Sequence, residues 1–159
     1  ASFLTAWSEL VSRMLANDST SFDVMFQHVK EHKDNLYNVR HFKAREVAEG
    51  EDPPGFVMLN QHKVQNLPAA NALTDSTSAL VLDGMVDDGT IYFWGQLNHA
   101  WGDEFNYNYY MGTRDMTHFA EAWAEFIRRI QAEHPEALAE FGKLSQGHKD
   151  NLYYLRHAK

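Results

Sequence analysis

The hexapeptide His-Lys-Asp-Asn-Leu-Tyr occurs twice in the chain, at residues 32–37 and again at residues 148–153. A gapless alignment of residues 2–43 with residues 118–159 around these copies gives 15 identities in 42 pairs. Unrelated segments of ordinary composition would give about 2 or 3 identities over that length. The sequence therefore predicts an internal repeat.

The two copies flank a middle segment, residues 44–117. We predict a single domain over residues 1–159, in which units 2–43 and 118–159 are pseudo-equivalent. The second copy ends on the last residue, so a fragment of a tandem array with a period of 116 residues is the alternative.

The composition is that of a globular protein that can bury a core, with 44% hydrophobic and 23% charged residues. A net charge of −8 argues against a nucleic-acid partner. The absence of cysteine excludes disulfides, thiolate nucleophiles and cysteine-ligated zinc. No apolar run approaches the roughly 18 residues of a membrane helix, so we expect no membrane partner. We predict a soluble protein and favour the cytoplasm slightly, while the sequence leaves the compartment open.

Each unit begins with a predicted amphipathic helix. Residues 2–16 place apolar side chains at i, i+3, i+4 and i+7, and residues 117–133 repeat this pattern around a second tryptophan. Residues 113–117 offer N-cap candidates for the second helix, and Pro135 should end it.

After the helix, each unit is predicted to form a hairpin. Residues 22–27 alternate as a strand does, and the aromatic, β-branched residues 36–42 could pair with them across a tip at residues 33–35. The second copy would then turn at residues 149–151. A helix over residues 32–43 is the alternative.

The middle segment is predicted to be mostly β. The candidate strands are Gly55–Leu59, Ala79–Leu82, Ile91–Leu97 and Phe105–Met111. Asp87-Asp88-Gly89 is a hairpin signal between the second and third of these strands. Residues 60–78 are expected to form a loop or irregular helix, and residues 98–104 a loop.

These elements predict an α+β domain, an antiparallel sheet with helices on one face. The order of strand, tryptophan-bearing helix and hairpin over residues 91–159, partly duplicated in residues 2–43, resembles the dimeric α+β barrel, ferredoxin-like superfamily. That superfamily includes antibiotic-biosynthesis-type monooxygenases and haem-degrading relatives. The resemblance implies the fold; no catalytic motif of a member is matched, so no residue role is carried over.

The repeated motif, extended to the Arg-His pair that follows it, provides the main candidate site. Arginine offers a planar fork for an acidic or oxygen-rich group, and histidine can transfer a proton near neutral pH. If pseudo-symmetry brings the copies together, they would line one pocket. Alternatively, these residues hold the two halves together. The candidate catalytic residues are His41, His157 and His99; the candidate ligand-binding residues are Tyr37, Arg40, Tyr153, Arg156, Trp94 and Trp101.

Two further patterns are weaker. Residues 98–104 hold a histidine, a tryptophan and two carboxylates, but their spacing matches no established metal-ligand pattern, and neither does the pair His28 and His32. The aromatic strands around Trp94 suit either a ligand cavity or an ordinary core. We therefore predict no metal and no cofactor.

The sequence thus favours a protein that binds a small organic molecule; as an enzyme, it would act on an acidic or oxygen-rich one. Whether it is an enzyme stays open. A non-catalytic interaction module of the inhibitor, immunity or scaffold type is the alternative. A homo-oligomer, most simply a dimer, is expected in either case.

Overall fold

A computed structural model describes residues 3–17, 20, 35–101 and 105–156 of the chain. The chain divides into two compact units, Ala1–Asp34 and Asn35–Lys159. In the first unit, helix α1 spans Phe3–Asn17, as its apolar periodicity predicts. The predicted strand over residues 22–27 and the first hairpin tip at Lys33 and Asp34 lie outside the described residues.

The second unit contains one five-stranded antiparallel sheet. Its strands are β1 (Leu36–Ala44), β2 (Phe56–Val64), β3 (Phe93–Trp101), β4 (Tyr107–Thr113) and β5 (Ser145–Tyr154). Their order across the sheet is β1-β3-β4-β2-β5, and every neighbouring pair is antiparallel.

Four helices of this unit pack on one face of the sheet: α2 (Leu67–Ser76), α3 (Ser78–Asp87), α4 (Met116–Glu133) and α5 (Ala137–Leu144). From β2 onward, the chain runs strand, helices, two strands, helices, strand, which is the ferredoxin-like order. Strand β1 extends that sheet beside β3. The predicted α+β antiparallel class is therefore confirmed.

Side-chain caps set the starts of two helices. The Asp115 side chain accepts a hydrogen bond from the His118 backbone N–H, which begins α4 within the predicted capping region. The Asn66 side chain accepts from the backbone N–H of Ala69 and begins α2. Helix α4 ends at Glu133, two residues before Pro135, as predicted.

The core lies between the helix face of the sheet and helices α3 and α4. Trp94, Met111 and Ile130 are each 1% exposed or less. Burial of such large apolar side chains is the main source of stability in a domain of this size. A smaller cluster around Val64, Ala70 and Tyr107 closes the end near α2.

Three local predictions are wrong. Ala79–Leu82 lies in helix α3, not in a strand. A short continuous apolar run shows neither the period of a helix nor that of a strand, so its sequence does not distinguish the two. Asp88 and Gly89 consequently end that helix: Asp88 is its C-cap, and Gly89 adopts a φ of +82° just beyond. Residues 98–101 continue β3 instead of forming a loop.

The second copy of the repeat contains no hairpin. Residues 149–151 lie inside β5 and pair with β2, so the turn predicted there is wrong. In the first copy, Leu36–Ala44 forms β1, so the predicted strand is confirmed and the helical alternative over residues 32–43 is wrong for the part that is described. Asp and Asn tolerate turns without requiring them, and the register with β2 decides the conformation. The single domain with two equivalent units stays a prediction. No helix among the described residues is long and apolar enough to cross a membrane.

Candidate functional site

A cavity of about 250 Å³ lies between the helix face of the sheet and helices α2 to α5. Six aromatic side chains form much of its wall: Trp94, Tyr107, Tyr109, Trp123, Phe126 and Phe141. Leu73, Leu82, Ile127, Ala137 and Leu138 add aliphatic surface. An enclosed apolar space with a few polar groups is the usual form of a small-molecule site.

His62 is the most deeply buried imidazole that lines this cavity. It is 8% exposed and is surrounded by rings: Tyr109 stacks on it at 6.0 Å between centroids, and Phe141 meets it edge-on at 4.8 Å. Burial and, to a smaller extent, the neighbouring His148 together lower the pKa of His62 to about 4, against the opposing effect of Asp150. His62 is therefore neutral at pH 7.

The Ser145 hydroxyl lies 3.0 Å from Nδ1 of His62 and 3.3 Å from the carbonyl oxygen of Gly147, to which it donates. In the tautomer that matches this donation, Nδ1 carries the ring proton and donates to the Ser145 oxygen. Atom Nε2 then carries a lone pair and can accept a hydrogen bond from a molecule in the cavity.

Asn60 lies two residues before His62 on the same face of β2 and is 5% exposed. Its amide nitrogen Nδ2 donates to the carboxylate of Asp150 on β5. Because a carboxylate only accepts, this contact fixes which end of the amide faces Asp150. The amide oxygen Oδ1 is buried and has no hydrogen-bond partner among the described residues. A buried unpartnered acceptor of this kind costs about 1–3 kcal/mol.

His148 and Asp150 lie on β5, at the edge of the sheet, and both line the cavity. Their side chains are 59% and 53% exposed, and Nε2 of His148 lies 3.6 Å from the Asp150 carboxylate. The cavity therefore has an exposed polar rim at β5 and more deeply buried polar groups on β2.

Tyrosines contribute the remaining hydroxyls of the wall. The Thr74 hydroxyl donates to the carbonyl of Ala70, so the hydroxyl of Tyr107 donates to Thr74 at 2.6 Å. Burial raises the pKa of Tyr107 to about 12 and also raises that of Tyr109. Both phenols are therefore protonated at neutral pH.

Of the residues predicted from sequence, Trp94 lines the cavity. His41 stacks on Trp94 at 5.4 Å between ring centroids and donates from Nε2 to Asp75 at 2.7 Å. Arg40 also pairs with Asp75. Burial alone would raise the pKa of Asp75, but the hydrogen bonds from His41 and Arg40 outweigh it and lower that pKa. These residues form an ion-paired group behind the cavity wall.

The two copies of the motif do not converge within the chain. Strands β1 and β5 are the opposite edges of the sheet, about 19 Å apart at four strand spacings. Tyr153 and Arg156 are exposed beside β2, far from Tyr37 and Arg40. His157 lies outside the described residues.

The predicted residues at the far end of β3 form a separate group. His99 contacts the ring of Tyr37 edge-on, with 6.1 Å between centroids, and its Nε2 is buried without a partner in the part of the chain that is described. Trp101 is exposed at the end of the strand. Neither lines the cavity. Asp103 and Glu104 lie outside the described residues, and the described ones contain no cluster of three or more histidine or carboxylate groups that could hold a metal.

The sequence does not single out Asn60 and His62 as site residues, and it predicts a turn at residues 149–151, which include Asp150. A signal was present. From Phe56 to Val64, every second residue faces the core, and this alternation places Asn60 and His62 among buried positions. Burying a polar side chain at a core position of a strand costs free energy unless the side chain is hydrogen-bonded within the protein or to a ligand.

No protein-family model and no curated protein matches the sequence. Two solved structures are similar in fold. A structure of a protein of Fusobacterium nucleatum subsp. nucleatum, named a "putative monooxygenase", superposes with a TM-score of 0.57 at 8% identity; the match covers 92% of this chain and 64% of that one. A variant of SnoaB, a cofactor-independent oxygenase of Streptomyces nogalater, matches with a TM-score of 0.47 at 16% identity. That match covers 67% of this chain and 97% of the SnoaB chain. The first likeness agrees with the α+β ferredoxin-like fold described above.

Proposed function

We propose that this protein binds a small, largely apolar organic molecule in the cavity between the sheet and helices α2 to α5. One observation carries the proposal: the amide oxygen of Asn60 is a buried acceptor without a partner among the described residues, and it stands beside the buried ring of His62 in a wall of aromatic rings. A bound molecule that donates a hydrogen bond there would remove the cost of that unpaired acceptor.

The prediction of an acidic or oxygen-rich ligand rested on Arg40 and Arg156. Neither lines the cavity, and the described residues of the wall include no arginine or lysine. The polar groups that do line it support a ligand held by hydrogen bonds to oxygen and nitrogen acceptors. An oxygen-rich molecule with hydroxyl groups meets this requirement, whereas a carboxylate does not.

A catalytic role would fall to His62 and His148. With its pKa lowered to about 4, His62 is a weak base, better suited to orienting a bound group than to removing its proton. His148 is the exposed partner through which a proton could reach solvent. Binding is therefore the primary proposal, and turnover of the bound molecule is the step to assay after it.

Native mass spectrometry of the purified protein, followed by a denaturing run, tests for a retained molecule. Binding at this cavity is tested by NMR titration with 2-phenylethanol, a neutral aromatic probe. We expect shifts of the indole N–H signals of Trp94 and Trp123, which both line the cavity.

A matched pair of variants locates the binding. Ala137 is buried and lines the cavity, so Ala137→Phe should fill it and abolish the titration. Ala139 is exposed on the same helix, and Ala139→Phe should leave the titration unchanged. Saturable binding that survives Ala137→Phe would contradict the proposal.

Self-association is a second candidate property, favoured by exposed apolar side chains on β1. Val39 is 66% exposed and Phe42 62%. We propose a homo-oligomer, most simply a dimer, because apolar side chains on an edge strand favour association. Sedimentation of the 18.3 kDa chain tests this. A concentration-independent monomer would contradict it.

A further inference from the structure

We propose that the cavity selects a ligand with a protonated amine on an aromatic body. This inference rests on the proposed function, and it specifies the polar group that the site recognises.

The polar groups of the cavity are mainly hydrogen-bond acceptors. Oδ1 of Asn60 is a buried acceptor without a partner among the described residues, and its orientation is fixed because Nδ2 faces Asp150. Nε2 of His62 is a second acceptor in the tautomer that carries the ring proton on Nδ1. The carboxylate of Asp150 is a third. An ammonium group has three donors and no acceptor, so it complements all three groups.

The other hydroxyls of the wall do not reverse this polarity. Thr74 donates to the carbonyl of Ala70, and Thr77 donates to that of Leu73 at 2.6 Å. Tyr107 donates to Thr74. These three protons are already used within the protein. The exceptions are Tyr109 and Ser78, whose hydroxyls can donate as well as accept.

Charge favours a cation. Of the described residues that line the wall, Asp150 is the one carboxylate, and none is a lysine or an arginine. His62 is neutral at pH 7, so it adds no positive charge that would repel a cation. A carboxylate ligand would meet Asp150 at the rim and two further acceptors inside. A cation would instead gain an ion pair there.

The aromatic rings of the cavity wall also favour a cation. Two tryptophans, two tyrosines and two phenylalanines surround the space. The faces of such rings attract cations, most strongly where water is excluded, and their apolar area accommodates an aromatic body. Because Asp150 is half exposed, the ammonium can remain close to solvent at the rim while the body fills the interior.

Three probes that share one ring and similar chain length test the inference by NMR titration: 2-phenylethylamine, 2-phenylethanol and phenylacetate. We expect the amine to bind about tenfold more tightly than the alcohol, and phenylacetate to bind more weakly than both. In Asp150→Asn the new amide can still accept from Asn60, but the negative charge is lost, so the amine should lose about tenfold in affinity and the neutral alcohol clearly less. Asp52→Asn, at an exposed position outside the cavity, should leave all three affinities unchanged.

The outcomes separate the two proposals. If the alcohol binds and the amine binds no better, or if Asp150→Asn leaves the amine affinity unchanged, the amine inference is wrong and the cavity remains a binding site. Tightest binding of phenylacetate would also overturn the inference. If none of the three probes binds the wild-type protein, the proposed function fails with it.

Discussion

The imidazole rings of His62 and His148 stack with their centroids 5.5 Å apart, one ring buried under aromatic side chains and the other at the exposed edge of the sheet. The two residues are directly opposite each other in the pairing of β2 with β5. A proton on the buried ring would be unfavourable both because water is excluded and because a second imidazole is near.

The first prediction follows from this burial. The pKa of His62 is lowered to about 4 in the folded protein, so between its unfolded value of about 6.5 and pH 4 the unfolded chain binds more protons. The free energy of unfolding should therefore fall as the pH drops through this window, by about 3 kcal/mol at most. NMR titration of the His62 ring and urea denaturation at pH 7 and pH 4.5 measure both quantities.

The matched variant for this prediction is His62→Gln, which should reduce the loss of stability between pH 7 and pH 4.5. Carboxylates also lose stabilising interactions at the acidic end of this pH range. The hydrogen bond from Arg45 lowers the pKa of Glu51 to about 2, so most of the stability that Glu51 contributes is lost only in stronger acid. An NMR titration of His62 centred near pH 6.5 would contradict the buried, neutral ring.

The second prediction concerns the hydrogen bond between Tyr107 and Thr74. Tyr107→Phe removes a donor, and Thr74 keeps its bond to the carbonyl of Ala70, so we expect a loss of about 1 kcal/mol. Thr74→Val leaves the hydroxyl of Tyr107 buried without a partner and should cost more, about 1–3 kcal/mol. Urea denaturation of both variants gives the comparison; equal losses would argue against the assigned direction of donation.

The helices at either end of the repeat and the antiparallel α+β class could be predicted because amphipathic periodicity is a local signal. Helix α4 shows this well: its apolar stripe, its Asp115 cap and Pro135 all lie within the segment itself. The last strand could not be predicted in the same way. Nothing in Lys149-Asp150-Asn151 indicates an extended chain until its partners on β2 are known.

The candidate site was difficult for a related reason. The repeat drew attention to identical residues, but two copies of one motif can lie at opposite edges of a sheet, as they do in β1 and β5. The cavity instead combines residues from strands β2 to β5 and four helices, whose juxtaposition depends on long-range packing. Trp94 was identified because its aromatic character signals a buried wall in any arrangement of the strands.

The third prediction distinguishes the motif from the cavity as the ligand site. The sequence predicts that Arg156→Ala weakens ligand binding and leaves folding intact. Arg156 is exposed beyond β5 and does not line the cavity, so binding in the cavity predicts an unchanged affinity for 2-phenylethanol. NMR titration of Arg156→Ala decides between the two sites. Ala137→Phe, which should abolish binding of the probe, is the control.

The fourth prediction concerns two glycines in opposite environments. Gly112 on β4 pairs with Phe93 on β3, and a Cβ at Gly112 would lie 2.2 Å from the Phe93 ring. Gly112→Ala must displace that ring, at a cost of about 1–3 kcal/mol. Gly142 is exposed in helix α5, and a Cβ there would meet nothing within 4 Å.

Gly142→Ala should therefore stabilise the protein by up to about 1 kcal/mol, because alanine loses less backbone entropy in a helix than glycine does. The two variants add the same methyl group, so opposite shifts in the urea midpoint can only reflect the two environments. If Gly112→Ala also raised the urea midpoint, the Phe93 ring would be able to leave Gly112 at little cost. The contact between Phe93 and Gly112 would then not contribute to the pairing of β3 with β4, the two strands that position Trp94 and Tyr109 in the cavity wall.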